Sequence, residues 1–86
     1  MPYAVEFRQQ AIDDLERFDR AIGQRLLSKL RWLSENIQEM TPVPLTGELK
    51  GLFKLRVGDY RIAYSIDQQK ELLTIHLIGH RSEIYR

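Results

Sequence analysis

The residues able to do chemistry cluster in one short run. Lys54, Arg56 and Arg61 alternate with Phe53, Leu55, Val57, Tyr60 and Ile62 around a central Gly58-Asp59. A two-residue loop led by glycine closes a tight hairpin between its flanking strands. Val57 then faces Tyr60, and Arg56 faces Arg61. Successive side chains point to opposite faces of a strand, so the apolar set, with Tyr64, shares one face and the three cations share the other. Like charges set side by side on a sheet repel. A fold holds such a cluster most easily where an anion visits it, and a polyanion, RNA first, is the ligand this pattern points to.

RNA can be cut without a metal when its 2′-hydroxyl attacks the adjacent phosphorus and expels the 5′-oxygen. The step needs a base for the 2′-OH, an acid for the leaving oxygen, and cations for the charge that builds on the phosphate. The planar fork of guanidinium matches phosphate oxygens, a role open to Arg56, Arg61 and Arg81. Lys54 is a compact charge that donates a proton if its cationic neighbours lower its pKa, and clustered arginines favour the ionised form of Tyr85. His76 and His80 are the side chains nearest in intrinsic pKa to neutrality. The general base and acid stay open among Tyr85, His80 and Lys54.

Plainer readings compete with each assignment. Alternating Lys and Arg on an exposed strand face is usually a solvated surface. Tyr60 and Tyr64 fall on the apolar face and read as core. Trp32, beside the Leu30 and Leu33 stripe, reads as packing or a partner contact before it reads as a base-stacking platform. Nothing fixes the separation of Glu48 and Glu83 as a carboxylate pair. There is no phosphate-cradling glycine loop, no His-x-x-x-His or Cys-x-x-Cys spacing and no nucleophile elbow, so no metal site and no cofactor are expected.

The elements that must position these residues are legible from periodicity. Tyr3, Val5 and Phe7 alternate as a short strand. Ala11, Ile12, Leu15 and Phe18 recur at helical spacing, and so do Ile22, Leu26, Leu27, Leu30, Leu33 and Ile37. Asp19 is placed to cap the second helix. Residues 40–51, broken by Pro42, Pro44, Gly47 and Gly51, read as loop. Strands follow at about 52–57, 60–66 and 72–79, with a turn over 67–70. In the last strand the odd set Leu73, Ile75 and Leu77 is assigned to the core, which leaves His76 on the face of the cations. The order β-α-α-β-β-β predicts an α+β fold: a helical hairpin packed on one face of a small, mainly antiparallel four-stranded sheet whose other face stays open.

Composition sets the outer bounds. The chain has 86 residues, room for one small domain spanning 1–86. It contains no cysteine, which removes disulfides and thiolate sites and fits a reducing, cytoplasmic setting. No apolar run reaches the length of a membrane span, and the start, Met1-Pro2-Tyr3-Ala4-Val5-Glu6, lacks the pattern of a secretory signal. Net charge is only +1, so an anion site rests on the placement of cations and not on their total.

Residues 52–64, Leu-Phe-Lys-Leu-Arg-Val-Gly-Asp-Tyr-Arg-Ile-Ala-Tyr, with residues 78–86, Ile-Gly-His-Arg-Ser-Glu-Ile-Tyr-Arg, resemble the RelE branch of the RelE/ParE toxin superfamily. The opening strand, the helical hairpin and the loop around Leu49-Lys50-Gly51 are similar to it as well. The resemblance implies the toxin of a type II toxin–antitoxin pair, an endoribonuclease that enters the ribosomal A site and cuts the mRNA codon there. It implies a cognate antitoxin that wraps and blocks the toxin, and contact with operator DNA only through that antitoxin. By the same resemblance, Lys54 and Arg56 match a basic pair, Arg61 the arginine on the scissile phosphate, and Arg81 the arginine after the last strand. Tyr85 matches the tail tyrosine that stacks on a base or moves a proton. Lys50 and His80 complete the RNA-binding set, His80 standing where some relatives use a histidine. The alternatives are a ParE-like DNA gyrase inhibitor and a non-catalytic partner-binding module.

Overall fold

The computed structural model describes residues 2–81, so Tyr85 lies outside the described residues. The elements are β1 (Ala4–Phe7), α1 (Gln9–Glu16), α2 (Arg20–Asn36), β2 (Val43–Pro44), β3 (Phe53–Val57), β4 (Tyr60–Asp67) and β5 (Leu72–His80). They build an α+β fold around one sheet in the order β1-β5-β4-β3-β2. β1 runs parallel to β5, and every other pairing is antiparallel. No helix among the described residues is long and apolar enough to cross a membrane.

Local chemistry starts and stops these elements. The Asp19 carboxylate accepts from the Ile22 N–H at 2.9 Å and so satisfies one of the orphan donors at the start of α2. Leu26, Leu30 and Leu33 then recur on one stripe of that helix. They pack with Ala11 of α1 against Leu55, Val57, Ile62, Tyr64, Leu73, Ile75 and Ile78 of the sheet. Both helices therefore cover the apolar face, and the cations are left on the other.

The sheet has five strands where periodicity predicts four. The extra strand comes from the loop: Val43 pairs with Lys54 and Pro44 with Phe53. Proline has no N–H to give a ladder, and an edge is where a strand tolerates it.

The second departure is a bulge. Ala63 pairs with Leu77, yet the next residue, Tyr64, pairs with Ile75, so His76 is inserted between two pairs. An extra residue inverts the two-residue alternation from there on. Leu77, expected in the core, sits half-buried opposite Ala63, and Ile78 takes the core position at 1 % exposure. The same inversion sets His80 opposite Tyr60, on the apolar side.

Asp14 closes the edge that the bulge region leaves. β1 covers β5 only as far as Ile75, and beyond it the Ile78 N–H donates to Asp14 Oδ2 at 2.9 Å. Asp14 is 4 % exposed, and its Oδ1 accepts from Gln10 Nε2 at 2.9 Å and Arg17 Nη2 at 3.1 Å. A buried N–H left without an acceptor costs about 1–3 kcal/mol. Asp14→Ala is expected to lower unfolding stability by that order in urea titrations, and Asp14→Asn, which keeps one acceptor, by less. An unchanged midpoint for Asp14→Ala would remove this role.

Candidate nucleic-acid interface

The β3–β4 turn gathers cations from several elements. Gly58 has φ +60°, and among the described non-glycine residues only Glu71 is positive, so Gly58-Asp59 forms the type II′ turn that matches strand twist. The register is Val57 to Tyr60 and Arg56 to Arg61. The Gly58 carbonyl accepts from Arg56 Nε at 3.3 Å and from Arg61 Nη1 at 3.0 Å, and Arg61 Nη1 also donates to the Tyr60 carbonyl at 3.0 Å. One backbone oxygen thus holds two guanidinium groups together. Arg61 is 6 % exposed and Arg56 is exposed, so one is locked down and the other faces solvent.

Two further arginines reach this turn. The Arg81 N–H donates to the Asp59 carbonyl at 2.9 Å, which brings the exposed residue after β5 beside the loop. Arg25 comes from α2, with its Nη2 3.0 Å from where a Cβ on Gly58 would stand. Nothing in the periodicity singles out Arg25, because only the packing of α2 on the sheet carries it to the turn. Lys54 is half-buried on the same face as Arg56, opposite Ala63, about 7 Å along the strand by the usual rise.

The other sequence-predicted residues stand apart from the turn. Lys50 is exposed ahead of β3, its N–H on the Gly47 carbonyl at 3.1 Å, a full strand length away. His80 joins an aromatic row on the apolar side: its ring lies 5.8 Å from Tyr60, and Tyr60 lies 5.1 Å edge-on from Phe18. It is therefore not on the face of Lys54, Arg56 and Arg61, and the bulge is the physical reason. His76 does lie on that face, sharing a 2.9 Å hydrogen bond with Ser65 Oγ. Among the described residues no group of three or more His, Asp or Glu side chains is placed to hold a metal ion.

Comparison with known proteins gives a consistent set of likenesses. A model of the family described as "ParE toxin of type II toxin-antitoxin system, parDE" matches residues 5–85. Toxin RelG of Mycobacterium tuberculosis is 33 % identical over 90 residues, covering 100 % of this chain and 99 % of that protein. The toxin–antitoxin complex RelBE2 of the same organism contains a chain 31 % identical with TM-score 0.84, over 95 % of this chain and 94 % of that one. The archaeal RelE–RelB complex of Pyrococcus horikoshii matches at 26 % identity and TM-score 0.73, over 94 % and 97 %.

His76 carries a measurable signature of its position. Burial, and then the nearby Arg8 charge, lower its pKa from the ordinary 6.5, so the ring is neutral near pH 7. A folded-state value below the unfolded one means that the unfolded chain binds more protons between the two, and stability rises with pH there. The contribution is whole above the ordinary histidine value and is lost as pH falls through the folded one. Stability is expected to drop from about pH 7.5 to about pH 5.5, a window chosen above most carboxylate titration. His76→Gln should flatten that slope in urea midpoints, and an identical slope in the variant would refute the assignment.

Proposed function

Since the chain belongs to the RelE/ParE superfamily of type II toxins, we propose that it is an endoribonuclease that halts translation by cutting mRNA in the ribosomal A site. The observation that carries this reading is the pair of guanidinium groups on the Gly58 carbonyl, on the sheet face opposite the helices. A phosphate seated over that pair meets charge already in place before the phosphorane forms. Stabilisation of this kind needs no reorganisation during the step.

The roles divide by position. Arg61, buried and fixed by two carbonyls, stabilises the charge on the scissile phosphate. Exposed Arg56 and Arg81 capture and orient the strand. Lys54, on the same face, supplies a proton to the leaving 5′-oxygen or a charge to the phosphate, and Tyr85 stacks on the base or moves the proton from the 2′-hydroxyl. His80 and Lys50 lie outside the phosphate cluster and contact RNA only at its margins. The 2′-hydroxyl is the nucleophile, so no metal is required. Relatives solved as RelBE2 and archaeal RelE–RelB are toxin–antitoxin complexes, which supports a cognate antitoxin for this chain; operator contact through that antitoxin is part of the proposal. The setting is the cytoplasm, where ribosomes translate.

A second reading draws on the matching family description, which names ParE: inhibition of DNA gyrase by binding, with no nuclease step. Mapping of 5′ ends on ribosome-bound mRNA separates the two. The wild-type chain is expected to cut within the A-site codon, and Arg61→Ala to lose about 100-fold or more in rate, the usual cost of one preorganised charge-stabilising group. Intact message together with inhibited supercoiling of a plasmid would replace the nuclease reading with the gyrase one.

A further inference from the structure

We propose that Arg25 and Lys29 of α2 form a second phosphate-binding track that carries the RNA strand away from the β3–β4 turn. The proposal rests on the ribonuclease reading and extends its substrate path on to the helical layer.

Helix α2 carries Arg20, Arg25, Lys29 and Arg31 against the single carboxylate of Glu35. Gln24, Arg25, Ser28, Lys29, Trp32 and Val57 line a shallow groove along it, with no acidic side chain among the described residues that line it. Val57 is the last residue before the turn, and the Arg25 guanidinium stands against Gly58. The groove therefore ends beside the turn whose carbonyl holds Arg56 and Arg61. Arg25 and Lys29 are one helical turn apart, about 6 Å along the axis, and side chains four residues apart share a face. Two cations at that spacing repel in the absence of an anion. Gln24 and Ser28 add neutral donors to the same groove.

Trp32 favours a nucleic-acid strand over a docked protein here. It is the large apolar residue most exposed in the groove, at 40 %, and a partner helix would use it as an anchor. Its ring face is instead occupied by the Lys29 ammonium, 3.9 Å from the centroid. A cation held on the indole face in this way presents charge where a protein partner needs apolar surface.

The chain has one tryptophan, so Trp32 emission reports on the groove. A short fluorescein-labelled oligouridylate is titrated by anisotropy into wild type and into Arg25→Gln/Lys29→Gln, at several salt concentrations, with circular dichroism as the check on folding. The expected result is a Trp32 emission change on binding to wild type, weaker binding by the double variant, and a slope of log K against log salt shallower by about 1.4, from ~0.7 per single-strand phosphate contact. Wild-type affinity and slope in the double variant overturn the track. So does a Trp32 response to a glutamate-rich peptide and none to the oligouridylate, which assigns the groove to an acidic protein. If the track fails while Arg61→Ala still abolishes cleavage, the ribonuclease reading stands alone. Binding that depends on Arg25 and Lys29 without any wild-type cleavage keeps the track and removes the nuclease.

Discussion

Two like-charged guanidinium groups directly across a hairpin are an electrostatic liability, and the rest of the site follows from how this chain holds them there. The solution is the carbonyl of Gly58. It lies at the crest of a turn that requires a positive φ, which glycine adopts without steric cost. The turn tips its oxygen toward both side chains, so Arg56 and Arg61 bond to the acceptor between them. A side chain at position 58 would also meet the Arg25 guanidinium. The same glycine thus shapes the backbone, orients two cations and admits a third from the helical layer.

The bulge at His76 is the complementary constraint at the other side of the sheet. Without it, Leu77 would face the helices and Ile78 the cations. With it, the apolar set resumes in phase at Ile78, where the helical layer reaches the end of the sheet. The cost is an edge on β5 that, among the described residues, has no strand beside it past Ile75. Asp14 meets that cost from α1 by accepting the Ile78 N–H. A strand irregularity, a helix carboxylate and a truncated first strand are therefore one arrangement. Bulges that re-aim side chains recur beside functional sites, and here the residue re-aimed is His80, turned toward Tyr60 and away from the cation face.

What the amino-acid pattern made legible, and what it hid, divides along the same line. The hairpin register came from a local signal, glycine-led turn chemistry with strict alternation on both sides, and local signals survive folding. The Asp19 cap and the Leu26, Leu30 and Leu33 stripe were legible for the same reason. The bulge was not, because alternation counting assumes an unbroken ladder and a single inserted residue leaves no mark in composition. The fifth strand was masked by the prolines of its own loop. Asp14 and Arg25 read as ordinary charged residues on helix surfaces. Their importance depends on contacts with partners 64 and 33 residues away in sequence, Ile78 and Gly58, which only the packed structure supplies.

The contrast between Arg61 and Arg56 explains why the fold bears a nearly buried guanidinium at all. Removing a charge from water is costly unless its N–H groups find acceptors. Arg61 has the Gly58 and Tyr60 carbonyls, both supplied by the turn itself. Its position is therefore set before any ligand arrives. An exposed lysine or arginine must give up rotamer freedom and part of its hydration to meet a phosphate, and that cost is subtracted from every contact it makes. A charge already desolvated and immobilised gives up far less, and it acts through a medium of lower effective dielectric, where attraction to an anion is stronger. Arg56, held to the same oxygen at a longer 3.3 Å, is exposed, which on the proposed reading suits it to draw a strand in. On the proposed ribonuclease reading, burial alone divides capture and stabilisation between these adjacent side chains, with no difference in their chemistry.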